Sequence, residues 1–336
     1  EGIQALRELI AVGDLEQGSG SQEDAADARA VYVDDLAGRV RRGRPLRVVI
    51  DAGNGTGGLF APELIRRWGH TVLDCLYCEP DGSYPNHQPD PSEPKNMLAL
   101  GERVRELGAD VGIAFDGDAD RMGAVDEQGR LIAADRLLAL LARDVLARQP
   151  GAAVVADVLS SQVLFDDVAA HGGKPVMWIS GHSLIKAKMV ELGSPLGGEM
   201  SGHIFLGEDY YGFDDAYLVA GRLLSLLAAS GLRLSELDAS LPTLYSTPEY
   251  RPHCPDEAKQ LVIDGVKAAL AGSGEMVDVD GLRIRFQRGW GLLRASNTEP
   301  VLSLRFEGET EADAVAIRER FLTALAQFPM VEAVRV

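Results

Sequence analysis

Short apolar runs alternate with amphipathic stretches along this chain, and that alternation leaves few folds open to it. Residues 46–51, 71–77 and 110–115 read as buried strands, being short, apolar and bounded by turn residues. Residues 59–68 and 95–107 carry apolar side chains at helical spacing, and a glycine-rich turn at 53–58 leads into the first of them. Such a pattern builds a parallel sheet covered by helices. After a separating helix at 133–148 it restarts, with a strand at 153–157, a helix at 162–171 and a strand at 175–179. Laying Val48-Val49-Ile50-Asp51 on Val154-Val155-Ala156-Asp157 brings Phe60 and Phe165 near register, a faint internal repeat. Past Pro242 the texture changes. Strands near 247–251, 281–287 and 301–307 mix with helices at 256–270 and 311–327, and Asp280-Gly281 suits an antiparallel turn. The expected fold is α/β: two consecutive α/β domains with mainly parallel mixed sheets, at 27–130 and 131–245, then a smaller α+β domain at 246–336. Residues 1–26, a helix followed by a polar Gly/Ser/Gln loop, read as a segment trailing out of a preceding domain.

The 336 residues suffice for two or three cores, and 46% apolar with 25% charged residues is ordinary for a globular protein. A net charge of −18 argues against nucleic acid, which needs clustered Lys and Arg. It does not argue against a phosphorylated small molecule, because a few arginines can dominate one cleft. No apolar run is long enough for a membrane span, and the start of the chain lacks a signal-peptide pattern. Three cysteines give no even disulfide framework, so a reducing cytoplasm is expected, with Cys75 and Cys78 as small residues at a strand end.

The sharpest chemical signal is Asp116-Gly117-Asp118-Ala119-Asp120-Arg121, directly after the apolar run at 111–115. Ligands of α/β sheets bind at the carboxyl ends of strands. Three acids at alternate positions can converge on one point, and they repel one another without a cation. A hard oxygen-loving ion such as Mg2+ is the natural guest of Asp116, Asp118 and Asp120. Arg121 beside them suits a phosphoryl oxygen shared with the metal. A haloacid dehalogenase-type phosphatase, with Asp116 as nucleophile and Asp118 as acid, is an alternative reading of the same run.

Two further stretches matter. Gly198-Glu199-Met200-Ser201-Gly202-His203 offers a carboxylate, a hydroxyl and an imidazole, the groups that hold sugar hydroxyls. Arg294-Ala295-Ser296-Asn297-Thr298 offers a guanidinium fork, two hydroxyls, an amide and turn N–H groups, a set suited to a phosphate dianion. Taken alone, the first also reads as a glycine-rich turn and the second as a polar hairpin. Asp51 to Gly58 lacks the Gly-Lys-Ser/Thr ending of a P-loop and reads as a structural turn.

In this order the three loops resemble those of the phosphohexomutases, and the chain is similar to the phosphomannomutase/phosphoglucomutase branch from end to end. The resemblance implies transfer between the 1- and 6-positions of a hexose phosphate by way of a bound 1,6-bisphosphate, with glucose 1,6-bisphosphate as activator and intermediate. It implies Mg2+ on Asp116, Asp118 and Asp120, with Arg121 and His182 as catalytic groups. It assigns Gly181, His182, Glu199, Ser201 and His203 to the sugar, and Arg294, Ser296, Asn297 and Thr298 to phosphate. Met200 and Asn297 tilt the expectation toward hexose over amino-sugar phosphates. Leu159 stands where the family often has Lys, a contact that is either lost or supplied by Lys186 or Lys188. The family's Thr-Ala-Ser-His-Asn-Pro loop, which holds the phosphorylated serine, does not occur in this sequence. The expectation is therefore a monomeric protein that binds phosphosugar and is inactive by itself. A non-catalytic phosphosugar-binding protein is the remaining alternative.

Overall fold

A computed structural model describes residues 2–13, 15–296 and 299–334. It divides into two compact units, Glu1–Asp35 and Leu36–Val336. In the smaller unit, the helix Gly2–Val12 buries none of its residues. Everything that positions a site lies in the larger one.

The first sheet there has five strands in the order Thr71–Leu76, Arg47–Asp51, Val111–Phe115, Met122–Val125, Leu131–Ile132. The first three run parallel, and the remaining pairings are antiparallel. Val48, Val49 and Ile50 are fully buried, as a central strand covered on both faces requires. The helix Gly57–Arg67 turns Ala61, Leu64 and Ile65 inward, one face at helical spacing. The helix Leu98–Leu107 does the same with Leu100 and Val104, and ends at Gly108 in the left-handed region (φ 57°). Each of these leucine, isoleucine and valine side chains contributes roughly 1.5–3 kcal/mol on burial.

The second sheet repeats this topology. Its order is Lys174–Trp178, Ala153–Asp157, Leu196–Gly198, Ile204–Leu206, with two parallel pairings followed by an antiparallel hairpin. The strands at Asp51 and Asp157 occupy the same central place, so the faint repeat in the sequence marks a duplicated module. The third sheet is wholly antiparallel, in the order Tyr245–Ser246, Leu302–Gly308, Gly289–Ala295, Leu282–Phe286, Glu275–Val277. The helices Asp256–Ala269 and Glu311–Leu325 cover a core that includes Ile284, Leu293, Leu304, Phe306 and Phe321. No helix among the described residues is long and apolar enough to cross a membrane. Two α/β sheets followed by an antiparallel α+β unit is the fold class expected from the sequence.

Two local expectations change. The strand expected near 247–251 is only Tyr245–Ser246 plus an isolated bridge at Tyr250, because Pro248 and Pro252 cannot donate to a ladder. Cys75 and Cys78 are joined as a disulfide rather than standing as two separate small residues. Tyr77 between them takes a positive φ of 53°, which turns the chain back at the strand end and sets the two Cα atoms 5.8 Å apart. Cys254 is free and buried.

The third sheet docks on the second through buried charge. Arg283, 2% exposed, donates to the carbonyls of Val158 and Ser160 and lies 3.7 Å over the Trp290 ring. Arg305 donates to the Leu159 carbonyl and to Glu307. Glu307, itself buried, also accepts from Ser161 Oγ at 2.6 Å and Trp290 Nε1 at 2.8 Å. Burial pulls the Arg283 pKa down to about 9, against the opposing pull of Glu307. Leu159 turns into the apolar seam of Val158, Trp290 and Leu292.

One glycine decides how the first sheet's loops meet. A Cβ on Gly55 would lie 2.6 Å from the Gly117 carbonyl oxygen and 2.9 Å from that of Asp116, both main-chain atoms. Thr56 N donates to the same Gly117 oxygen at 2.9 Å, so the turn at 53–58 braces the acid loop and leaves no room there for a ligand. Gly55→Ala is expected to cost about 2 kcal/mol, as overpacking against an unyielding wall does. Urea denaturation checks it; a midpoint equal to that of the parent would show the two loops are not locked together.

Candidate functional site

The acid loop at 116–121 and the loop at 199–203, expected to hold a sugar and called the sugar loop below, are equivalent hairpins of the duplicated module. Phe115 pairs with Met122 across residues 116–121, and Gly198 pairs with Ile204 across residues 199–203. Each is closed by its first N–H donating to its last carbonyl, Asp116 to Arg121 at 3.3 Å and Glu199 to His203 at 2.9 Å. The two tips meet edge to edge. Arg121 and His203 form an antiparallel bridge, and Met122 N donates to the Gly202 carbonyl at 3.2 Å.

In the acid loop, carboxylate oxygens of Asp116, Asp118 and Asp120 lie within 4.8 Å of one another, with Asp116 buried and Asp118 exposed. Asp116 Oδ1 accepts from the main-chain N–H groups of Asp120 and Arg121 at 3.0 Å, and Oδ2 accepts from Arg121 Nε at 2.8 Å. Burial raises the Asp116 pKa, and the adjacent Asp120 carboxylate raises it further, against the donors of Arg121. Three hard oxygen donors, crowded and mutually repelling, are a donor set that fits a divalent cation such as magnesium. Arg121 is held on its other side by Asp90, Nη1 to Oδ1 at 3.3 Å, on a loop the sequence reading left without chemistry. A nucleophilic Asp116, as the phosphatase reading needs, would have to shed donors from both oxygens while lying 2% exposed. A cavity lined by Tyr84, Gln88, Asp90, Asp116, Asp118 and Arg121 opens at this point.

His203 joins the loops. Its Nε2 lies 3.2 Å from Asp120, while Nδ1 lies 3.1 Å from Glu199 and 2.9 Å from Ser201 Oγ. Burial opposes its positive charge, yet Glu199 and Asp120 outweigh that and raise its pKa. The other oxygen of Glu199 accepts from Gly181 N at 2.6 Å, which ties the sugar loop to the start of the helix His182–Leu192. His182 Nδ1 lies 2.9 Å from Asp214, and its ring stacks 5.6 Å from that of His203. Lys186 also donates to Asp214 at 2.8 Å; burial works against that carboxylate, but Lys186 and His182 hold its pKa at about 2. Asp120, His203 and Asp214 are also close enough to share an ion, but Lys186 and His182 already satisfy Asp214. Lys188 pairs with Glu191 and lies over Trp178.

The phosphate loop connects through one carboxylate. Asp280 Oδ2 accepts from Ser180 N at 3.2 Å and from Arg294 Nε at 3.0 Å. Arg294 is next to last in the strand Gly289–Ala295, and Ser296 follows the strand. Asn297 and Thr298 lie outside the described residues. The structure thus brings Asp116, Asp118, Asp120, Arg121, Gly181, His182, Glu199, Ser201 and His203 together directly, and Arg294 reaches them through Asp280. Sequence reasoning missed Asp90, Asp157, Asp214 and Asp280. Asp157 had a signal, since it ends a repeated strand, and Asp280 was noticed only as a turn residue.

Asp157, 1% exposed, touches both the loop at 199–203 and Ser180. It accepts from Ser160 Oγ at 2.6 Å, Met200 N at 3.3 Å and Ser180 Oγ at 3.4 Å. Burial raises its pKa to about 6; Glu199 adds to the rise, while Ser160, Met200 N and Arg305 oppose it. Between about pH 4 and about 6 the folded protein keeps a proton here that the unfolded chain has released. This group's contribution to stability therefore falls as pH rises through that window, then stays level. Asp157→Asn should gain on the parent by up to about 3 kcal/mol between pH 4 and pH 7. Parallel pH profiles of unfolding for the two proteins would refute this.

Comparison with known proteins identifies the arrangement. Residues 30–129 match the family model "Phosphoglucomutase/phosphomannomutase, alpha/beta/alpha domain II", residues 133–245 match its domain III, and residues 249–324 match its C-terminal domain. The phosphomannomutase/phosphoglucomutase of Pseudomonas aeruginosa is 44% identical over 326 residues, covering 97% of this chain and 70% of that protein. A crystal structure of a phosphoglucomutase/phosphomannomutase family protein from Burkholderia thailandensis superposes with a TM-score of 0.92 at 40% identity, covering 100% of this chain and 72% of that one. At 18% identity and a TM-score of 0.61, the N-acetylphosphoglucosamine mutase of Aspergillus fumigatus, solved with GlcNAc-6P and magnesium, shares the fold over 88% of this chain and 68% of its own. With three consecutive domain matches and relatives this similar, the chain belongs to the phosphoglucomutase/phosphomannomutase family.

Proposed function

We propose that this chain binds a hexose phosphate across its three loops and serves interconversion of the 1- and 6-phosphates through a bound 1,6-bisphosphate. The observation that carries the reading is one unbroken chain of contacts. It runs from Asp120 through His203 and Glu199 to Gly181, and from Ser180 through Asp280 to Arg294. Groups suited to a metal, a sugar ring and a phosphate are thereby held in one frame, and positioning is most of what phosphoryl transfer asks of a protein.

In this reading Arg294 and Ser296, with Asn297 and Thr298, hold the phosphate that does not react. Glu199 and Ser201 anchor ring hydroxyls, a carboxylate accepting two of them with directional selectivity. His182, half-exposed beside His203, reaches the sugar. Asp116, Asp118 and Asp120 would hold a magnesium ion, which supplies charge neutralisation at the transferring phosphoryl group. Arg121, fixed between Asp116 and Asp90, places a guanidinium against the same group. Leu159 is turned into the seam, while Lys186 is held by Asp214 and Lys188 by Glu191.

A phosphoryl carrier is also required, and the Thr-Ala-Ser-His-Asn-Pro segment does not occur among these 336 residues. Tight binding of glucose 1-phosphate without turnover is therefore expected. A coupled assay with glucose 1-phosphate, magnesium and a trace of glucose 1,6-bisphosphate, run beside calorimetry, tests it. Robust conversion would place the carrier within the chain, release of inorganic phosphate would favour hydrolysis at Asp116, and no binding would remove the reading altogether.

A further inference from the structure

Beneath the phosphate loop lies a buried ammonium that belongs to none of the three loops. Lys259, 6% exposed, rises from the helix Asp256–Ala269. Its Nζ donates to the Ser296 carbonyl at 2.8 Å and to the Glu299 carbonyl at 2.6 Å, and it lies 2.5 Å from Asp256, whose side chain is 76% exposed. A lysine is almost never this buried unless it is fully paired, and here two of its partners, Ser296 and Glu299, are the two limbs that flank residues 297–298. The limbs are also tied to each other. Ser296 N donates to the Val301 carbonyl at 3.1 Å, and Glu299 N to Ser296 Oγ at 3.2 Å.

We propose that Lys259 is a positioning residue for phosphate recognition, a role that rests on the assignment of phosphate to residues 294–298. Carbonyl oxygens are the wrong groups to present to a dianion. Lys259 draws the Ser296 and Glu299 oxygens down onto its ammonium, which withdraws that negative potential from the binding face and sets the spacing of the limbs. Its charge, shielded from solvent by burial, adds a favourable field under a phosphate held by Arg294 and Ser296. Asp256, at the surface, partly cancels that field.

The two halves of the argument give opposite signs. Lys259→Met should weaken glucose 1-phosphate binding at least tenfold, with magnesium affinity at the distant acid loop unchanged, and Lys259→Arg should restore most of the loss. Asp256→Asn, a surface change that leaves the lysine in place, should tighten glucose 1-phosphate about twofold at low salt, with the gain fading at high salt. Calorimetry on the full chain reads all four proteins. Unchanged sugar phosphate affinity in a folded Lys259→Met, or an equal loss of magnesium binding, overturns the proposal. If that variant does not fold, Asp256→Asn decides alone, and no salt-sensitive gain overturns it. An unsubstituted protein that binds magnesium but no glucose 1-phosphate would instead sink the phosphate assignment, and this role with it.

Discussion

Arg294→Ala is expected to weaken glucose 1-phosphate binding about 30- to 100-fold. A charge-assisted hydrogen bond to a phosphate contributes about 1.5–3 kcal/mol. The structure adds a second penalty, because Arg294 is also the partner of Asp280. Without the guanidinium, the Asp280 carboxylate faces the incoming dianion with, among the described residues, Ser180 N as its remaining donor. Arg294→Ala combined with Asp280→Asn should therefore recover part of the loss, although it removes a second native contact. Titration calorimetry with glucose 1-phosphate checks both. A single variant within threefold of the parent, or a double variant weaker than the single one, contradicts the arrangement.

Glu307→Gln is expected to destabilise the protein by about 3–5 kcal/mol, the usual cost of stranding buried charge. The substitution changes shape hardly at all, and glutamine can still accept from Ser161 and Trp290. It removes the carboxylate that pairs with Arg305 and the main electrostatic support of Arg283, whose pKa burial already lowers. Arg283→Met should cost less, about 1–3 kcal/mol, since it strands the Val158 and Ser160 carbonyls and frees the Gln162 side chain while relieving an unfavourable buried charge. The ordering is what matters. Chemical denaturation in which Arg283→Met proved the more damaging would mean the seam is held by Arg283, with Glu307 incidental.

Much of this was legible in the sequence, for identifiable reasons. Strand 111–115 and the acids after it are contiguous, so apolar patterning alone places Asp116 at a sheet edge. The loops at 199–203 and 294–298 were legible as chemistry but not as structure. The strands flanking the first are three residues each, too short for a period to register. What binds the loops together is carried by single residues far apart in the chain. Asp280 and Ser180 are 100 positions apart and Glu307 and Ser161 146, and no local pattern announces such pairs. The Cys75–Cys78 pairing was missed because a Cys-x-x-Cys spacing does not reveal that Tyr77 turns the chain back between them.

The duplicated hairpins have a consequence for how such a protein can diversify. Their tips are joined by main-chain atoms, the bridge of Arg121 with His203 and the bond from Met122 N to the Gly202 carbonyl. Main-chain pairing survives exchange of the side chains it carries. The side chains at positions 199 and 201 can therefore be exchanged while the main-chain pairing with the acid loop stays in place. Gly202, at φ 103°, is the position in that tip where such freedom ends.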